Sequence, residues 1–174
     1  MNLAVTAIGR DRPGIVAGLT GVLVEAGGNV DASQMSLLHG QFAVMLIVSV
    51  PDDTHVDRLR VELDEAGRGL GLDAVTLCPV SELDRGPDPT HVVTIYGADR
   101  PGIVHRAAQL MAEREVNITD LKTRRTASGD GHLYTLMMEV ALPGDAGDLE
   151  DALASMAEEA EVEASISELE VEVI

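Results

Sequence analysis

The stretch Asp11-Arg12-Pro13-Gly14-Ile15-Val16 occurs a second time in the chain, letter for letter, as Asp99-Arg100-Pro101-Gly102-Ile103-Val104. The same offset of 88 residues takes Asn29 to Asn117. Later in each copy the offset becomes 92, which a hairpin four residues longer around Ser128 to Gly131 explains. A fixed internal period indicates duplication, so we expect two copies of one domain.

Each copy predicts the same series of elements. A short β-prone run ends at a glycine, and Pro13 or Pro101 then suits the first turn of a helix, where no backbone N–H is needed. A hairpin that turns at His39-Gly40 in the first copy, a second helix and a closing strand follow. We place the closing strands at 74–80 and 162–173. The apolar stripes at helical spacing are Ile15, Leu19, Val22, Leu23 and Ala26; Val56, Leu59, Leu63, Ala66 and Leu70; Ile103, Ala107, Leu110 and Met111; and Leu149, Leu153, Met156 and Ala160.

The order βαββαβ, read twice, predicts an α+β protein made of two ferredoxin-like domains. Each has an antiparallel sheet with both helices on one face. We expect the first domain at 1–82 and the second at 91–174. Residues 83–90 contain Gly86, Pro87 and Pro89 and are predicted to form a linker.

Composition excludes several classes of protein. A formal net charge of −18 disfavours direct binding to nucleic acid, whose phosphates need Lys and Arg. No apolar run reaches the length of a membrane span and no basic leader precedes one, so we expect a cytoplasmic protein without membrane contact. Cys78 is the one cysteine, and we expect it to be buried in a strand. The acidic stretch 145–172 is a solvated face or a docking surface for a basic partner protein.

No catalytic constellation is visible. The five histidines show no metal-ligand spacing, and Ile15-Val16 stand where a phosphate-binding loop needs Lys and Ser or Thr. We therefore expect no enzyme activity, no metal and no cofactor.

The repeated loop is the candidate binding site. A glycine at the second helical position, Gly14 or Gly102, leaves backbone N–H groups uncovered, and such a helix start attracts carboxylates. Alternatively, these glycines only permit close packing against a strand. Asp11 and Asp99 precede the helices and are expected to cap them, or to pair with a ligand ammonium group.

The remaining polar residues of the repeat have two interpretations each. Arg12 and Arg100 form surface salt bridges or reach an acid across an interface. Asn29 and Asn117 lead into the second strand of each copy. Their role is turn formation or the donation of a side-chain amide to a ligand.

Asp-Arg-Pro-Gly-Ile-Val followed by a helix and an Asn-led strand, in a βαββαβ frame, resembles the ACT domain. Two such domains with nothing attached are similar to the glycine cleavage system transcriptional repressor group. The resemblance implies pairing between domains, with small ligands, usually amino acids, bound at the pairing interface. The residues implied are Asp11, Arg12, Pro13, Gly14, Ile15 and Asn29, and Asp99, Arg100, Pro101, Gly102, Ile103 and Asn117.

The second copy departs from this pattern before its Asn-led strand. Arg114-Glu115-Val116 stands there, near the position of Gly27-Gly28 in the first copy. We expect its turn to differ.

An RNA-binding interpretation rests on Tyr96 and Tyr134, which fall on the first and third strands of the second copy. The scarcity of aromatic residues and the negative charge disfavour it. A basic cluster of Lys122, Arg124 and Arg125 is interpreted as solvated, with an anion or acidic partner as the alternative.

The resulting hypothesis is a non-catalytic, amino-acid-responsive regulator. It is expected to form a homodimer and to act through contacts with another regulatory protein, in glycine cleavage or amino-acid metabolism. The alternative is a ligand-free ACT assembly module or a regulatory subunit of a metabolic enzyme.

Overall fold

Burial alternates along the first strand of each unit, so each of these strands has one face against the core. In the first strand Leu3, Val5 and Ala7 are buried while Ala4 and Thr6 are partly exposed, as expected for a sheet with one covered face. The computed structural model describes residues 1–128 and 131–169.

The first unit contains six elements in the order βαββαβ, and its sheet has the strand order β2-β3-β1-β4 with antiparallel pairing throughout. The elements are β1 (Asn2–Arg10), α1 (Ile15–Glu25), β2 (Asn29–Leu38), β3 (Gln41–Ser49), α2 (Val56–Gly69) and β4 (Leu72–Val80).

The second unit repeats this order, with the sheet β6-β7-β5-β8 again antiparallel. Its elements are β5 (His91–Ala98), α3 (Ile103–Glu113), β6 (Asn117–Ser128), β7 (Gly131–Ala141), α4 (Gly147–Ala160) and β8 (Val162–Glu168). The predicted fold class is confirmed. The closing strand predicted at 162–173 ends at Glu168 among the described residues, and 170–173 lie outside them.

Contacts divide the chain between Leu83 and Asp84, and residues 81–90 carry no helix or strand. Each unit has its own core. The first lies between one sheet face and α1 and α2, with Ile15, Leu19 and Leu23 from α1 almost completely buried. The second contains Ile103, Ala107, Met111, Leu149 and Leu153. The predicted apolar stripes thus supply both cores.

Two expectations about helix starts are wrong. The helices α1 and α3 begin at Ile15 and Ile103, so Pro13 and Pro101 precede the helix and Gly14 and Gly102 are its N-cap residues. Both glycines have a left-handed backbone, with φ of 95° and 93°. Proline cannot adopt positive φ, and any other residue with a side chain is strained at this angle. The glycine therefore determines where the helix begins.

The turn before the second strand is the same in both units, contrary to expectation. Glu115 adopts φ 55° where Gly27 has φ 74°. The Gly28 amide donates to the Leu23 carbonyl at 2.8 Å, and the Val116 amide donates to that of Met111 at 3.0 Å. A hydrogen bond of this kind, to the carbonyl five residues earlier, closes many helix C-termini. The motif holds Glu115 in a conformation that favours glycine.

Cys78 is exposed rather than buried. Leu77 is the residue of β4 that enters the core, and successive residues of a strand point to opposite faces. Among the described residues, no helix has the length and apolar character needed to cross a membrane.

Candidate functional site

The repeated loop connects the first strand of each unit to the start of its first helix. The first intrahelical bond runs from the Gly18 amide to the Gly14 carbonyl at 2.8 Å in α1, and from Arg106 to Gly102 at 3.0 Å in α3. The backbone amides of the three residues before each of these donors, residues 15–17 and 103–105, make no intrahelical hydrogen bond. Among the residues that the structure describes, no side chain caps either helix. Uncapped amides at the positive end of a helix dipole are donors for an anionic group.

The predicted capping by Asp11 and Asp99 is wrong. The Asp11 amide donates to the Gly40 carbonyl at 2.9 Å, which attaches the loop to the hairpin between β2 and β3. The Asp99 carboxylate lies 3.0 Å from Arg125 Nε. Left-handed geometry at the intervening glycine turns the chain between the aspartate and the helix, so the carboxylates stay available to other partners.

Arg12 and Arg100 make contacts within their own unit. Arg12 donates to the Gly69 carbonyl at 2.8 Å, at the end of α2. Arg100 pairs with Glu161, the residue that ends α4. Both arginines therefore hold the loop against the end of the second helix. These contacts span 57 and 61 residues of sequence, and sequence inspection missed them.

The space in front of both glycines is open. A Cβ atom added to Gly14 or Gly102 would meet nothing within 4 Å. The packing interpretation of these two glycines is therefore wrong. By contrast, a Cβ at Gly9 would lie 2.8 Å from the backbone of Leu72, so Gly9 is the glycine that close packing requires.

Asn29 lies at the other end of the sheet from the loop. Asn29 pairs with Ser49, whereas the loop end of β1 pairs with Phe42 and Gln41. Seven residues of strand separate Ser49 from Phe42, a distance of about 23 Å at about 3.3 Å per residue. Within one unit, the loop and Asn29 therefore do not touch the same small ligand.

The Asn29 side chain is engaged locally. It donates to the Asp31 carboxylate at 2.8 Å, and Ser49 donates to the same oxygen at 3.2 Å. Asn117 occupies the matching position at the start of β6, opposite Ala141. Their position supports the turn interpretation.

Two surface cavities occupy equivalent places, between the end of the first helix and the start of the second. The cavity of the first unit has a volume of about 410 Å³ and includes Pro51 and Asp53. That of the second unit, about 270 Å³, includes Pro143 and Asp145. Neither touches the repeated loop. Arg114, which donates to Asp148 at 2.8 Å, lines the second cavity at the position where Ala26 lines the first.

The RNA-binding interpretation fails on geometry. Tyr96 pairs with Thr135, while Tyr134 pairs with Gly97. Tyr134 packs against the core and Tyr96 is exposed, so the two rings lie on opposite faces of the sheet and cannot stack neighbouring bases together.

The basic cluster of β6 is largely paired with acids. Lys122 donates to Asp120 at 2.5 Å and Arg125 pairs with Asp99. The hydrogen bond to Asp120 raises the pKa of Lys122, and the charges of Asp120 and Glu139 add to this effect. Within residues 1–128 and 131–169, no group of three or more His, Cys, Asp or Glu side chains is placed to hold a metal ion.

Comparison with known proteins gives one family for both units. ACT domain models match residues 2–76 and 91–161. The chain is 43% identical over 72 residues to a UPF0237 protein of Methanopyrus kandleri, covering 41% of this chain and 80% of the relative. It is 25% identical over 170 residues to the glycine cleavage system transcriptional repressor of Escherichia coli, covering 95% of this chain and 88% of that protein.

Among solved structures, an unknown protein from Galdieria sulphuraria superposes with a TM-score of 0.80. It is 24% identical and covers 97% of this chain and 98% of its own. At this identity the likeness establishes the fold alone.

Proposed function

Because the chain belongs to the ACT-domain family, we propose that it is a non-catalytic regulator that binds a small amino acid beside its repeated loops. The observation that carries the proposal is the pair of uncapped helix starts, each preceded by an open left-handed glycine and an aspartate. A ligand carboxylate can accept hydrogen bonds from the free amides. The neighbouring aspartate can pair with the ligand ammonium group.

The two loops are proposed to differ in affinity. Asp99 already pairs with Arg125 at 3.0 Å, so a ligand ammonium group competes with a guanidinium there. The backbone amides of Asp11 and Asp99 both donate to a carbonyl of the hairpin, and the Asp11 side chain is exposed. We expect the first unit to bind more tightly.

Regulation is proposed to proceed through protein contacts. A ligand that binds one packing of domains more tightly than another shifts the population towards it. The likeness to the Escherichia coli repressor extends along 95% of the chain and supports a role in glycine cleavage or amino-acid metabolism. The net charge of −18 supports a protein rather than DNA as the direct partner.

A thermal-shift screen with the common amino acids tests the proposal. A ligand at about 100 times its Kd stabilises the folded state by roughly 2.7 kcal/mol. Asp11→Asn is expected to reduce the shift by removing the partner of the ammonium group. Asp53→Asn removes an equally exposed charge elsewhere and is expected to leave the shift unchanged.

Flat melting curves with every amino acid would favour the second candidate, a ligand-free assembly module or regulatory subunit. The observation in its favour is that none of the three cavities of 270–410 Å³ described for the two units is lined by the loops. An equal loss of the shift in Asp11→Asn and Asp53→Asn would also contradict binding at the loop.

A further inference from the structure

The outer face of the first sheet, on the side away from α1 and α2, carries no charge at its centre. Since Leu3, Val5 and Ala7 enter the core, Ala4, Thr6 and Ile8 point the other way. The strand register extends this set to three residues on each of the four strands. The outer-face residues are Ala4, Thr6 and Ile8; Ala32, Gln34 and Ser36; Ala43, Met45 and Ile47; and Ala74, Thr76 and Cys78.

Large apolar side chains are open to solvent in the middle of this face. Ile8 is 49% exposed and Met45 is 52% exposed. A shallow groove of about 360 Å³ lies there, lined by Thr6, Ile8, Met45 and Thr76 among others. Charged residues lie at the rim, among them Arg10 on β1 and Asp31 in the bulge of β2. A contiguous apolar patch with a polar rim marks an interaction site.

The ferredoxin-like fold does not by itself require an uncharged outer face, as the second unit shows. At the twelve equivalent positions, the second sheet carries five charged residues. Ile47 is matched by Glu139, and Ala74 by Glu163. The charged residues of the second outer face are Asp120, Lys122, Arg124, Glu139 and Glu163. The absence of charge is therefore a property of the first sheet and not of the architecture.

We propose that the first outer face is the surface through which two copies of the chain pair, sheet against sheet. The chain carries 30 acidic and 12 basic residues, so two copies repel each other over most of their surfaces. An uncharged face allows contact without placing like charges together. A basic protein would instead select an acidic surface, which this face does not offer.

The whole outer side of the first sheet, which is the uncharged face together with its rim, is large enough for such a dimer. Nine residues along β1 extend about 30 Å, and four strands span about 19 Å, which gives roughly 570 Å² on each partner. Two partners would bury about 1,100 Å² in total, just above the approximately 1,000 Å² expected of a specific interface. Two packed sheets lie about 10 Å apart, with interdigitated side chains.

Sedimentation of a matched pair of variants tests the proposal. Met45→Lys places a charge at the centre of the first outer face, and Met137→Lys does so at the equivalent point of the second, where Met137 is 47% exposed. At 150 mM salt and without amino acids, we expect a wild-type dimer. The Kd for dimerisation should rise about 100-fold or more in Met45→Lys because an unpaired charge is buried twice, and stay within about 3-fold of wild type in Met137→Lys.

The thiol of Cys78 supplies a second readout that needs no substitution. It lies on the first outer face and is exposed in the single chain. In the wild type its rate of reaction with a thiol reagent should fall as protein concentration rises through the dimer Kd. In Met45→Lys the rate should not depend on concentration, and a cooperative urea transition like that of the wild type shows separately that this variant is folded.

Three results would overturn the proposal: a wild-type monomer at 50 µM or more, on the order of a weak specific Kd; a dimer that Met45→Lys leaves intact; or a dimer that only Met137→Lys disrupts. The inference does not rest on the proposed amino-acid site. Since the measurements are made without ligand, failure of one leaves the other standing.

Discussion

At the scale of single residues, Gly14 and Gly102 decide the geometry of the candidate site. Their left-handed backbone, with φ of 95° and 93°, begins each helix without a capping side chain. The sequence indicated that these glycines matter, because the hexapeptide is repeated. It did not reveal the backbone angle, since glycine also occurs where only space is needed.

Alanine substitutions of Gly14 and Gly21 should change the free energy of unfolding in opposite directions. Gly14→Ala is expected to lower the free energy of unfolding by about 1–2 kcal/mol because a Cβ is strained at positive φ. Gly21→Ala, inside α1 with nothing within 4 Å of the added Cβ, should raise it by about 0.5–1 kcal/mol. Urea denaturation measures both. Equal effects would contradict the assigned backbone at Gly14.

The contact of Arg12 with the Gly69 carbonyl at 2.8 Å should contribute measurably to stability. Arg12→Ala is expected to lower the free energy of unfolding by about 1 kcal/mol. Arg85→Ala, in the segment without helix or strand, is the control and should change it by less than about 0.5 kcal/mol. If the two variants had indistinguishable urea midpoints, the contact of Arg12 with the Gly69 carbonyl would not stabilise the fold.

Lys122 provides a test of side-chain placement on β6. Asp120→Asn should return its raised pKa towards the ordinary lysine value, because the hydrogen bond to Asp120 is the largest cause of the shift. The stabilisation is present below the ordinary pKa and disappears as pH rises through the raised one. NMR titration of Nζ measures it. Glu139→Gln should have a smaller effect, and a larger one would contradict the placement.

At the scale of elements, the spacing of apolar residues was sufficient to predict which face of a helix is buried. The predicted stripe of α1 contains Ile15, Leu19 and Leu23, which are the residues it buries. Helix starts were misplaced because proline and glycine both fit several positions near a helix N-terminus. The partners of Arg12 and Arg100 were missed because long-range contacts leave no local pattern. Glu115 was misjudged because a hydrogen-bonded turn can hold a non-glycine residue at positive φ.

Two substitutions in α1 test which side of the helix faces the core. Leu19 is 0% exposed and Val24 is 69% exposed. Leu19→Ala should lower the free energy of unfolding by about 2–5 kcal/mol through a cavity. Val24→Ala should change it by no more than about 0.5 kcal/mol. Thermal and urea melts of the two variants should therefore differ clearly, and similar losses would contradict the packing of α1.

At the scale of the whole molecule, the duplication could be predicted because six identical residues recur at one offset. The repeated hexapeptide does not show how the surfaces of the two copies differ. The first outer face is uncharged and the second carries five charges, and the loop aspartate of the second unit, Asp99, pairs through its side chain with Arg125. These differences depend on which residues share a face, and strand register determines that.

The measurement that tests the central claim most directly is an NMR titration of the full chain with each common amino acid. The account predicts saturable shifts at the amides of residues 15–17, with weaker ones at 103–105, for at least one amino acid. Shifts confined to the cavity beside Pro51 and Asp53, or none at either helix start at millimolar ligand, on the order of the weakest specific Kd, would contradict it.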